Sequence, residues 1–423
     1  MNDSYDLKHR ILRFNKREIH LYFLASLIHD ELISRIVEGI EHNKGKDLMN
    51  CINAGDVVKY GYGQEKDVEY LLLSGNLVIY DRDVIYVIDA KKFPNRSIQQ
   101  PDTEKSVRGA KDGFNESLLN NTGLIRRRMK CSDLCFHLEK IGTENPCDIA
   151  VVYLQNSVNQ KLLDDVIQRI KAIRTKNLIM SDRALEELLL DQGYNPFPLV
   201  RYSERPDIVA SHIQHGHIAI IVDTSSSVLM LPVNLFDILE YVEEHRQTPI
   251  IGTFIRLIRL IACFLSVYLM PIYSLVFSYK QWDYDFFIQI LIVEFAIELL
   301  RIATIHTPDS ISNAMGLIAA LLLGEYAVEL GFFTKDILLF SSISSICNFA
   351  TPNYELSLTN KYVRIFMIVS IMFLNIYGFV LYNFILIVYL MSLKPFHCSY
   401  LYPLYPLDLK KLYQYLIRKP KNN

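Results

Sequence analysis

The sequence predicts a cytoplasmic α+β N-terminal region of two small subdomains, followed by an α-helical polytopic membrane domain. Three observations carry this expectation. The 423 residues exceed one ordinary domain, and 51% of them are hydrophobic. The first 250 residues mix charges with short apolar runs, whereas from Thr253 onward the runs lengthen. One of them, "LIACFLSVYLMPIYSLVFSY" (260–279), holds no charge over a bilayer-spanning length at about 1.5 Å per residue. No secretory signal opens the chain, because "MNDSYDLKHRILRFNKREIH" is charged and the apolar run that follows is too short.

The first subdomain, with its connector, is expected over residues 1–145. "EIHLYFLAS" reads as a strand, and "DELISRIVEGI" repeats apolar residues at helical spacing behind the capping Asp30. "DVEYLLLSGNLVIYDRDVIYVIDAKKF" reads as a meander broken at Gly75-Asn76 and at Asp81-Arg82-Asp83. In the second subdomain, 146–250, "DIAVVYLQ", a helix from about Gln160 to Ile173 and "NLIM" suggest a β-α-β unit. "HIAIIVDTSSSVLMLPV" closes it as a hairpin around Asp223-Thr224-Ser225.

Between the subdomains lies a polar stretch, 101–130, in which Glu104, Arg108, Asp112 and Glu116 recur every fourth residue. On a helix they form one stripe of mixed sign. Such a stripe is either a solvated face or a contact between subunits or subdomains. Gly109, Gly113 and Gly123, which weaken a free helix, point to close packing.

The membrane domain, 251–391, holds five apolar segments near 260–279, 286–303, 315–333, 337–350 and 364–391. The tail, 392–423, carries six lysines and arginines against the single acid Asp408, which places it in the cytoplasm and requires an even number of spans. "ILLFSSISSICNFA" is short and serine-rich, as a re-entrant segment would be, and omitting it gives four spans. Counting it, and breaking the final stretch near Gly378, gives six.

Glu294, Glu298 and Arg301 share one helix face, and Glu325 and Glu329 share another. Each ionised group facing lipid costs roughly 2.5–3.5 kcal/mol near a helix centre, so these groups should face protein or water. One reading pairs Glu298 with Arg301 and leaves Glu325 and Glu329 near the headgroups. The other makes all four glutamates candidates for a cation path, because Gly316, Ala320 and Gly324 allow close packing around an axis.

A net charge of −2 gives no basic stripe for nucleic acid. The seven cysteines are scattered and odd in number, and neither "CSDLC" nor "HIQHGH" has the companions of a metal site, so no metal and no cofactor is expected. No phosphate-binding loop or hydrolase motif occurs.

Several stretches carry a resemblance: "EKSVRGAKDGFNESLLNNTGLIRRRMK", "YSERPDIVASHIQHGHIAIIVDTSSSVLMLP", "HRQTPIIGTFIRLIRL", and "FATPNYELSLTNKYVRIFMIV" with "YLYPLYPL". Over most of its length the chain resembles the A-subunit family of GerA-type spore germination proteins, in particular its AF type. Pro395 and His397 depart from the serine and glycine expected there. The resemblance implies a spore inner-membrane protein with its N-terminal region facing the core and no enzyme activity. It implies self-assembly, as a pentamer, into a germination channel for monovalent cations, alongside other germination membrane proteins. Glu325 and Glu329 would then give rings of negative charge. The alternative is a non-conducting scaffold that organises germinant receptors or the dipicolinate-release machinery.

Overall fold

The computed structural model describes residues 4–14, 17–42, 57–61, 65–82, 84–92, 104, 109–190, 192–280, 283–305, 316 and 327–418. The chain divides into two compact units, one of residues 1–193 and 200–232, the other of residues 194–199 and 233–423.

The first unit contains two five-stranded antiparallel sheets. Strands β1 (Leu7–Phe14), β2 (Arg17–Leu24), β3 (Val57–Tyr60), β4 (Leu77–Asp81) and β5 (Val84–Ile88) lie in the order β1-β2-β4-β5-β3. Alternation along the strands gives the sheet two apolar faces. Ile19, Leu21, Leu77 and Ile79 pack against Ile33, Ile36, Val37 and Ile40 of helix α1 (Asp30–His42). Val78, Ile85 and Val87 pack against Val68 and Leu72 of α2 (Glu65–Leu73). The expected meander therefore loses its first run to a helix. Val68 and Leu72 stand one turn apart and cover the second face.

Helix α3 (Leu118–Arg128) precedes the second sheet, whose strands β6 (Leu134–Ile141), β7 (Cys147–Leu154), β8 (Arg201–Ser203), β9 (Ile218–Val222) and β10 (Val228–Leu231) take the order β6-β7-β9-β10-β8. Helices α4 (Gln160–Ala172), α5 (Ser181–Leu189) and α6 (Pro206–Gln214) complete it, with α3 and α6 packed against β7 and β9. The hairpin around Asp223 forms with Thr224 at φ +68°. The β-α-β unit does not. Both neighbours of β7 are antiparallel, and "NLIM" contributes one isolated bridge, Asn177 to Asn145. Ile179 and Met180 are exposed, and Leu178 alone of that run's apolar residues is buried.

The helical second unit begins with α7 (Leu235–Leu239), whose start is fixed by a reciprocal capping box between Asn234 and Asp237, and α8 (Val242–Arg246). Then come α9 (Pro249–Lys280), α10 (Tyr284–Ile305), a helical turn at Ala327–Glu329, α11 (Lys335–Phe349), α12 (Tyr354–Ser392) and α13 (Leu409–Leu416). Pro249–Phe277 and Tyr354–Ser392 are long and apolar enough to cross a membrane.

Helix α12 is broken at Asn375, with φ 50° and ψ −132°. The two arms, 354–374 and 376–392, fold back on each other. Ser370 Oγ donates to Gly378 O at 3.0 Å, and Asn383 Nδ2 lies 3.8 Å from Met367 Sδ, a pair that a straight helix would hold about 24 Å apart at ~1.5 Å per residue. Only glycine fits at position 378, since a Cβ there would lie 2.0 Å from Ser370 O. The hairpin thus supplies the break that the six-segment reading requires, three residues before Gly378.

Side-chain pairs fix the directions of the helices. Asn360 meets Cys263 and Arg364 meets Ser266, so the first arm runs with α9, whereas Ser344 and Ser341 meet Ser266 and Met270, so α11 runs against it. Glu294 and Glu298 meet Arg364 and Lys361 in turn, which makes α10 antiparallel to the first arm.

Candidate functional site

Two helices bring their charged groups together, Glu294, Glu298 and Arg301 on α10 and Lys361 and Arg364 on the first arm of α12. Glu294 and Arg364, both fully buried, pair at 2.5 Å. A second guanidinium nitrogen of Arg364 donates to Ser266 O at 2.7 Å and to Ser344 Oγ at 2.5 Å, so α9 and α11 are tied into the same pair. Lys361 Nζ lies 2.9 Å from Glu298 and 3.9 Å from Glu294 and bridges the two carboxylates. Arg301 also pairs with Glu298, and its guanidinium lies 5.0 Å from the centre of the Tyr354 ring. The group comprises three cations and two carboxylates.

Buried polar side chains extend away from this group along α11 and the first arm of α12. Ser341, Ser344, Ser345 and Asn348 are buried on α11, where Asn348 meets Ser357 of α12 and Ser344 meets Ser266 of α9, and Thr359 and Asn360 are buried on α12. An ionised group within a membrane helix is costly unless paired or solvated, which makes such a polar interior a functional candidate. Glu294, Glu298 and Arg301 are legible in the sequence as one polar helix face. Lys361 and Arg364 stand at the head of an apolar run and are harder to see there, although each pair, three residues apart on α12 and four on α10, spans about one helical turn.

A second charged junction lies where α9 begins. The carboxylate of Glu244, almost fully buried, receives Arg256 Nε at 2.7 Å and the Arg259 guanidinium. Arg418 donates to Glu244 O at 2.7 Å and to Gln247 O, while Arg256 donates to Tyr415 O. Gly252 permits this approach, since a Cβ there would lie 2.4 Å from Glu244 O.

The other predicted residues are dispersed. Glu325 and Arg108 lie outside the described residues, and Glu329 is exposed on its single helical turn. The charged stripe does not form as a helix over residues 109–117, which take no regular secondary structure before Leu118. Asn115 and Asn121 exchange hydrogen bonds of 2.9 and 2.6 Å that fix this irregular entry to α3. Asp112 instead accepts from Arg128 at 2.6 Å, and Glu116 is exposed. Glu104 accepts from Ser203 Oγ at 2.5 Å and lies 3.6 Å from Arg201. Burial raises its carboxyl above the usual range against the pull of Arg201, Ser203 and Arg205. Among the described residues no group of three or more histidines, cysteines or carboxylates is placed to hold a metal.

An α+β region joined to membrane-length helices that share a buried charge network defines a membrane-associated protein with a substantial extramembrane part. Within that class the chain belongs to the GerA family: the family described as Bacillus/Clostridium GerA spore germination protein matches residues 1–423. It is 36% identical to stage V sporulation protein AF of Bacillus subtilis, covering all of this chain and 90% of that protein. It is 29% identical to spore germination protein KA of Bacillus subtilis, over 93% of this chain and 76% of that protein. Among solved structures, the N-terminal domain of the A subunit of the Bacillus megaterium spore germinant receptor GerK3 is 23% identical. That match covers 54% of this chain and 89% of that one, with a TM-score of 0.41.

Proposed function

We propose that the chain is a membrane subunit of a germination ion channel, conducting monovalent cations through a pore formed by several copies, five by the family resemblance. The observation that carries this is the division of the membrane carboxylates into two kinds. Glu294 and Glu298 are occupied by Arg364, Lys361 and Arg301, so they position helices, whereas Glu329 is exposed on the single chain. Exposed carboxylates on a membrane segment need a water-filled path or a neighbouring copy. Glu325, one turn earlier in sequence, would join Glu329 in lining it. The setting is the spore inner membrane, with the N-terminal region and the tail facing the core and other germination membrane proteins as partners. The buried charge cluster would hold the bundle rigid while the lining faces the axis. Relatives named as germination and sporulation proteins support a non-enzymatic role.

Single-channel recording from purified protein in a planar bilayer tests this. The expected result is a cation-selective current that falls, or shifts toward anions, in Glu325→Gln/Glu329→Gln at equal protein density. Unchanged current and selectivity in that variant would remove both residues from the path. A silent wild-type protein that still gathers its partners would favour the scaffold.

A further inference from the structure

The tail helix α13 presents three different sectors around its axis. One docks on the helical unit: Tyr415 Oη donates to Phe236 O at 2.8 Å, its ring lies 5.1 Å from the Arg256 guanidinium, and Arg418 N donates to Thr253 Oγ1 at 3.1 Å. A second sector is apolar and exposed, with Leu409 at 69% and Ile417 at 39% exposure, and half-exposed Tyr413 between them at four-residue spacing. It is continued by Leu404 and Leu407 just before the helix, which are also exposed. The third is polar, with exposed Lys410, Lys411 and Gln414. The neighbouring acid, Asp408, is used locally, accepting from Lys411 N and from Tyr402 Oη, each at 3.0 Å.

The level of α13 along the bundle is fixed by its contacts. They fall on Thr253 and Arg256, in the first two turns of α9, where that helix already exposes Ile250 and Phe254. Those residues open a segment apolar enough to cross a membrane. A helix docked at that level, with an apolar sector between its docking face and a lysine-bearing face, has the residue distribution of a helix lying in the plane of the interface. Lys419 and Lys421 follow in the sequence and add to the basic character.

We propose that α13 is an interfacial anchor that binds an anionic lipid surface, with Leu409 and Ile417 at the boundary of headgroups and acyl chains and Lys410 and Lys411 on lipid phosphates. The tail is then more than an orientation signal. It places the Arg418 clamp on the α8–α9 junction under the influence of the lipid composition of the facing leaflet.

Full-length protein carrying Leu409→Trp, with the single native tryptophan changed by Trp282→Phe, is reconstituted into vesicles of phosphatidylcholine with or without phosphatidylglycerol. The expected result is blue-shifted emission, quenched more by brominated phosphatidylglycerol than by brominated phosphatidylcholine at equal mole fraction. Lys410→Gln/Lys411→Gln should abolish that preference while the protein remains inserted. Emission characteristic of water with no lipid quenching overturns the proposal. So does equal quenching by both lipids, which leaves no anionic selectivity. Copy-to-copy cross-linking at position 409 with no lipid quenching overturns it too and assigns the face to self-assembly.

Discussion

At the scale of single residues, the Glu294–Arg364 pair is the most exacting feature of the helical unit, because both members are fully out of solvent. Removing one partner strands a charge, which typically costs about 3–5 kcal/mol, whereas removing both leaves a neutral gap. Arg364→Met should therefore lower the thermal stability of the purified protein sharply, and Glu294→Gln added to it should recover much of the loss. A double variant as unstable as Arg364→Met would show that the guanidinium's bonds to Ser266 and Ser344 matter more than charge balance. Glu104 makes a complementary case in the α+β unit. Its pKa is raised mainly by burial, so its contribution to stability is present below the ordinary glutamate range and is lost as pH rises through the raised value. Glu104→Gln should flatten the stability of wild-type protein between mildly acidic and neutral pH, as read by denaturant unfolding at a series of pH values. Neither environment could be read from sequence. The partners of Glu104 lie about a hundred positions away on β8 and at the start of α6, and those of Glu294 seventy positions away on α12.

At the scale of elements, periodicity revealed what depends on neighbours along the chain. Helix α1 and the hairpin of β9 and β10 form as their local patterns dictate, since Asp30 opens an apolar repeat and Asp223-Thr224-Ser225 supply turn chemistry. The stripe from Glu104 to Glu116 misled because four-residue charge spacing is only a helix signal where nothing competes. Here Asn115, Asn121 and the bond from Phe114 N to Glu204 O hold the chain out of a helix up to Leu118. The break in α12 was partly legible, because a 39-residue helix is far longer than a bilayer requires, and Gly378 marked the vicinity but not Asn375 itself. The hairpin makes a topological prediction. Cysteines introduced at Asn353 and Leu393 should react with a membrane-impermeant reagent from one side, and a cysteine at Asn375 from the other. Gly378→Leu should disrupt the hairpin, since even a Cβ has no room beside Ser370 O. Labelling of positions 353 and 393 from opposite sides would mean that the arms do not return.

At the scale of the whole molecule, the places where the helical unit begins and ends bear on whether the membrane crossings are even or odd in number. Arg418 reaches Thr253, Glu244 and Gln247, so the tail comes back to the end of α9 at which the chain first enters the apolar segment. Whatever the count between them, a chain that returns to its starting side crosses an even number of times. The basic composition of the tail independently favours the cytoplasmic side. The sequence supplied the charge argument, but it could not supply the return, because the clamp joins residues more than 160 positions apart. Asn2→Cys and Asn422→Cys, each made in a cysteine-free background, should therefore be equally protected from an impermeant thiol reagent in sealed right-side-out vesicles and equally reactive once the vesicles are opened. Protection of one position with immediate reaction of the other would require an odd number of crossings. The contact of Arg418 with the start of α9 could not then exist in the membrane.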